Sequence, residues 1–140
     1  MVIMNVNYEV QPQNRNGLEG ELILAKVDDK VVGKTGYMQL NQYGYAYNCL
    51  NNALMKMIQY SPPDIVVDKP MRGNGIGLSL LDKLLDQLIT KSFDMLVINQ
   101  PDQGKKFYCQ AFRKLIEKGK ITSVHYNFAF KLGPVYEVRI

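Results

Sequence analysis

Tryptophan is absent from this chain of 140 residues; histidine occurs once, at His125, and cysteine twice, at Cys49 and Cys109. The cysteines lie sixty positions apart, so there is no CxxC pair, and one histidine makes no cluster. The usual zinc and haem-attachment motifs are thereby excluded, and no metal site is expected. Spacing leaves a disulfide open, while two reduced thiols in an intracellular protein is the simpler reading. No apolar run nears the roughly 20 residues that span a bilayer. The opening MVIMNVNYEV puts no basic segment ahead of an apolar core, so no signal peptide is expected. A cytoplasmic protein without membrane contact is the reading.

Charge of neither sign dominates. Seventeen Lys and Arg against thirteen Asp and Glu leave +4, with a pI near 9.0. That excess suits an anionic ligand but is too small to establish nucleic-acid binding. Hydrophobic residues at 46% and charged residues at 21% are ordinary for a globular chain able to bury a core. One domain over residues 1–140 is expected.

Periodicity then divides the chain. Val2, Met4, Val6, Tyr8 and Val10 alternate as on a strand. QPQNRNGLEG (11–20) reads as a polar loop. Glu21–Val27 and Val31–Leu40 read as strands joined by the tight turn Asp28-Asp29-Lys30, with Gly33 and Gly36 as candidate bulge sites. From 46 to 59, Ala46, Leu50, Ala53, Leu54, Met57 and Ile58 recur at steps of three and four, which predicts an amphipathic helix. Ser61-Pro62-Pro63 breaks it. Ile65-Val66-Val67 reads as a buried strand. A helix with the stripe Leu78, Leu81, Leu84, Leu85 and Leu88 follows, ending near Lys91. DMLVIN (94–99) predicts another strand and Asp102–Lys118 another helix, closed by Gly119. Ile121–Lys131 and Val135–Ile140 close the chain as two strands. The order β-β-β-α-β-α-β-α-β-β implies an α/β fold, a mixed sheet with three packed helices.

The stretch richest in chemistry is Arg72-Gly73-Asn74-Gly75-Ile76-Gly77, between a strand and a helix. Glycines there let the backbone turn sharply and a ligand approach the amides. The first N–H groups of a helix lack internal partners at the positive end of its dipole, which makes a phosphate site. Arg72 can add a charge-assisted contact. A P-loop fails because it needs GxxxxGK[S/T] and no Lys follows these glycines, and the spacing GxGxG is not the dinucleotide GxGxxG. A tight turn with no ligand stays open as the plain reading.

The run VVDKPMRGNGIGLSLL resembles the acetyl-CoA signature of the GNAT N-acyltransferases, [R/Q]xxGx[G/A] between strand and helix, with Arg72, Gly75 and Gly77 matching. The likeness extends from Glu21 to about Leu115. It implies a GNAT-like fold and a cofactor whose pyrophosphate rests on Arg72, Gly73, Asn74, Gly75, Ile76 and Gly77. It further implies a pantetheine arm laid along Ile65, Val66 and Val67, with Asn99 after the next strand at the same slot. Tyr108 is implied as the acid that protonates the departing thiolate. The family's two acceptor-pocket helices do not fit into 11–20, so the helix expected at 46–59 would line the acceptor side instead.

Other candidates have plainer readings. A helical Tyr such as Tyr108 is usually packing, and Cys109 has no activating partner. His125 and Asp68 could serve as base or as amine-orienting group, or simply be solvated. Lys105, Lys106, Arg113 and Lys114 read as a solvated face without the aromatics of a nucleic-acid groove. The expectation is therefore acetyl transfer from acetyl-CoA to an unidentified amine, with a homodimer compatible. The alternative is an inactive acyl-CoA-binding or protein-interaction module on the same fold; a basic nucleic-acid module ranks third.

Overall fold

The computed structural model of the chain describes residues 5–15, 18–39, 45–48, 65–97, 105–125 and 129–132. Eight strands and two α-helices lie within them: β1 (Asn7–Arg15), β2 (Leu18–Val27), β3 (Lys30–Gln39), β4 (Tyr45–Asn48), β5 (Ile65–Val67), α1 (Ile76–Thr90), β6 (Met95–Val97), α2 (Lys105–Glu117), β7 (Ile121–His125) and β8 (Ala129–Leu132). They form one mixed sheet in the order β1-β2-β3-β4-β6-β8-β7, with β5 also on β3. The β4–β6 pair is parallel.

The segment expected to be a loop at 11–20 is instead a hairpin. β1 and β2 pair from Asn7–Lys26 to Arg15–Leu18. Polar side chains mark an edge strand as readily as a loop, and Pro12 is tolerated there because β1 is an edge. Gln13 is 5% exposed, and its Nε2 donates to the carbonyls of Tyr37 at 2.8 Å and Glu21 at 3.2 Å. Next, Asp28 and Asp29 take positive φ, 50° and 62°, making the two-residue turn that matches strand twist. The bulge falls where Ala25 pairs Gly33 but Lys26 pairs Val31, beside Gly33.

The helix expected from Ala46 does not begin there. Ala46–Asn48 belong to β4, where Ala46 is fully buried between Gln39 and Leu96. Spacing at three and four cannot separate a helix from a short buried strand at its start. The remainder of that expectation, 49–59, lies outside the described residues. Likewise, Ile121–Lys131 is not one strand: β7 and β8 pair antiparallel, with Val124 opposite Phe130. A hairpin keeps opposed residues on one face, so alternation survives the turn. The expected strand 135–140 lies outside the described residues.

Helix α1 supplies the core. Ile76, Leu80, Leu81, Leu84, Leu85 and Leu88 are buried, packed on Ile23, Ala25 and Tyr37 of β2 and β3. Leu80 rather than Leu78 lies innermost; Leu78 is only partly buried. Ala111 and Leu115 of α2 join the same core. Gly119, at φ +74°, ends α2 as expected, with Lys120 N–H donating to Leu115 O. Lys118 bonds Asp82, and Lys120 bonds Asp86, tying the end of α2 to α1.

Candidate functional site

Two strands share one side of β3. Asn48 of β4 lies opposite Tyr37, and Ile65 of β5 lies opposite Thr35, in the same antiparallel sense. Only Gly36 stands between. β4 and β5 therefore continue one another along β3. There the strands part: β4 pairs with β6, while β5 has no ladder with β6 among the described residues.

That leaves backbone groups of β5 available. Asp68 N–H donates to Val32 O at 2.8 Å. Alternation along the strand then turns the N–H groups of Val67 and Ile65 away from β3, toward the open side. The Val67 carbonyl on that side accepts from Arg72 Nε at 3.1 Å. A polar extended chain could pair with what remains.

The chain next makes a 3₁₀ turn, Lys69–Met71, and enters α1 through Arg72–Gly75. Gly73 and Gly75 take φ of +83° and +76°, which L side chains rarely adopt. Among the described residues a Cβ at either would meet nothing within 4 Å. Asn74 Nδ2 donates to Met71 O at 2.9 Å and to Arg72 O at 3.4 Å, folding the turn on itself. The first helical bond is Ser79 N–H to Gly75 O, leaving the N–H groups of Ile76, Gly77 and Leu78 without helical acceptors. No acidic residue stands in the first turn of α1, so its positive pole is uncompensated there.

The predicted residues divide by what they touch. Arg72, Gly73, Asn74 and Gly75 are exposed at the turn, and Ile65, Val66 and Val67 line its approach. Ile76 is buried in the core, so it offers only its backbone N–H. Gly77 serves packing: a Cβ there would stand 3.2 Å from the Phe107 ring. That contact seats the start of α2 against the start of α1. Tyr108 follows Phe107 in α2, so its backbone is close to the turn; His125 ends β7. Asn99 lies outside the described residues. Sequence reasoning passed over Lys34, which stands directly across from Val66; a lysine inside an otherwise apolar strand was the available signal.

The family profile "Acetyltransferase (GNAT) family" matches residues 5–109. No curated protein matches by sequence. Among solved structures, Tetrahymena GCN5 aligns at TM-score 0.55 and 14% identity over 84% of this chain and 71% of its own. A GNAT family acetyltransferase from Elizabethkingia anophelis, solved with acetyl-CoA bound, aligns at TM-score 0.53 and 14% identity over 91% of this chain and 98% of its own. The chain spans only 55% of a GNAT family acetyltransferase from Staphylococcus aureus Mu50, at 19% identity over 76% of this chain and TM-score 0.47. With the profile covering three quarters of its length, the chain belongs to the GNAT acetyltransferase family.

Proposed function

We propose that the protein transfers an acetyl group from acetyl-CoA to an amine. The observation that carries this reading is the open glycine turn at the uncompensated start of α1, continuous with the unpaired side of β5. Helix N–H groups suit a pyrophosphate, and a strand edge suits the amides of a pantetheine arm. The acetyl-CoA held by the Elizabethkingia relative supports the same ligand here.

In this reading the N–H groups of Ile76, Gly77 and Leu78, with Arg72, hold the phosphates. Ile65 and Val67 align the arm so that the thioester reaches the parting of β4 and β5. The neutral amine attacks the carbonyl carbon. Its C–N bond forms as the C–S bond breaks, and Val67 N–H steadies the oxyanion between the two events. The departing thiolate takes a proton from Tyr108, and the amine gives one up to solvent.

Acid catalysis of this kind contributes roughly 10²–10⁴-fold. Tyr108→Phe should therefore lower kcat by at least about 100-fold with acetyl-CoA affinity unchanged, measured as thiol release in the presence of an acceptor amine. A Phe variant as active as the parent removes Tyr108 from the mechanism.

One observation favours a second reading. Only two residues separate β1 from β2, which leaves no room there for acceptor-pocket helices. A protein that binds acetyl-CoA but transfers to no amine, peptide or polyamine would be an acyl-CoA-sensing module.

A further inference from the structure

On the face of the sheet away from α1, Lys34 has apolar residues opposite it on both adjoining strands. Gly33 faces α1, since a Cβ there would come 3.1 Å from Leu80 Cδ1. Strand alternation puts Lys34 on the opposite face. There its cross-strand partners are Leu24 of β2 and Val66 of β5, and Gly36 is its next same-face neighbour along β3. Leu24 is 8% exposed, and Gly36 is buried. Lys34 itself is partly buried.

A partly buried ammonium normally has an acidic partner or a route to water. Among the described residues Lys34 makes no ion pair. Each nearby acid among the described residues is used elsewhere or out of contact: Glu9 binds Lys26, Glu21 lies on the α1 face with Tyr37 and Lys91, and Asp68, opposite Val32, makes no bridge to it. Lys34 is also one strand from the unpaired side of β5. A lysine stem is long enough to cross that spacing of about 4.8 Å. Its charge is thus available over Val66, beside the parting of β4 and β5.

We infer that Lys34 binds an anionic group, of carboxylate type, on the acceptor amine. The inference rests on the acetyl-transfer reading and adds the acceptor's chemical class. It makes Lys34 a specificity residue: it touches the acceptor's remote anion and exchanges no proton.

The test uses ω-amino acids from glycine to 6-aminohexanoate, each against its carboxamide, with wild type, Lys34→Gln and Lys34→Arg. The wild type should prefer one or more carboxylates over the matching amide by roughly 10- to 100-fold in kcat/KM, the size of a charge-assisted bond. Lys34→Gln should erase that preference through KM, and Lys34→Arg should restore much of it. Melting with and without acetyl-CoA is measured on all three proteins. Equal stabilisation of wild type and Lys34→Gln shows that the cofactor site is untouched. A wild type that treats acid and amide alike, or acetylates none of the series while acetyl-CoA stabilises it, overturns the inference and leaves the cofactor reading standing. Weaker acetyl-CoA stabilisation of Lys34→Gln also overturns it, by assigning the charge to the cofactor. No stabilisation of the wild type defeats the acetyl-transfer reading itself.

Discussion

In the unit formed by β5, the glycine turn and α1, five leucines and one isoleucine are buried against the sheet; in the β1–β2 hairpin, polar groups hold the strands' far end. There Gln13 bridges two carbonyls, and Glu21 accepts from Tyr37 Oη at 2.8 Å and from Gln87 Nε2 at 3.3 Å. Lys91 stands 3.6 Å from the same carboxylate. The first unit draws its strength from apolar area, which leaves its backbone ends free to meet a ligand. The second uses Gln13 and Glu21 to satisfy partners inside the protein.

Five substitutions break or sharpen that contrast. Leu84→Ala, at a site with no exposed surface, should cost about 2–5 kcal/mol in denaturant unfolding. Val10→Ala on β1, 42% exposed, should stay within about 0.5 kcal/mol. A comparable loss at both would mean that the hairpin also rests on apolar packing.

Glu21→Ala strands the Tyr37 hydroxyl and the Gln87 amide, for an expected loss of about 1–3 kcal/mol. Burial first, then the hydrogen bond and charge of Glu21, hold the Tyr37 phenol well above its usual range. A raised phenol favours folding while both states are protonated. That contribution is whole below about pH 10 and is lost as the unfolded chain ionises above it. Stability should fall above pH 10, and Tyr37→Phe should flatten that part of the profile. A small effect is also expected at Lys118→Ala, which removes an exposed bridge to Asp82 and should cost less than about 1 kcal/mol in the same unfolding assay.

The two units also differed in how much of them the sequence disclosed. The leucine stripe and Gly119 announced both helices because a 3.6-residue period and a left-handed cap leave residue-level marks. The turn from Arg72 to Gly77 was readable because glycine is nearly the only residue that tolerates φ near +80°. By contrast, QPQNRNGLEG concealed a hairpin: an edge strand has no obligatory apolar face, and Gln13 is buried through hydrogen bonds that no periodicity encodes. Ala46 misled because the apolar spacing of a predicted helix ran into a short strand. Within the site, the division of Gly73 and Gly75 from Gly77 was not legible, since only the fold reveals that Phe107 fills the space over Gly77.

The central claim is that the glycine turn holds the phosphates of acetyl-CoA, and the most direct measurement is the melting temperature with and without that ligand. At 100 times its dissociation constant a ligand adds about 2.7 kcal/mol, or several degrees for a chain of this size. The wild type should rise by that amount. Gly75→Glu places a negative side chain in the space above the turn and should show no rise, while melting without ligand no more than a few degrees below the wild type. A wild type unmoved by millimolar acetyl-CoA, or a Gly75→Glu variant stabilised as fully as its parent, would contradict the account.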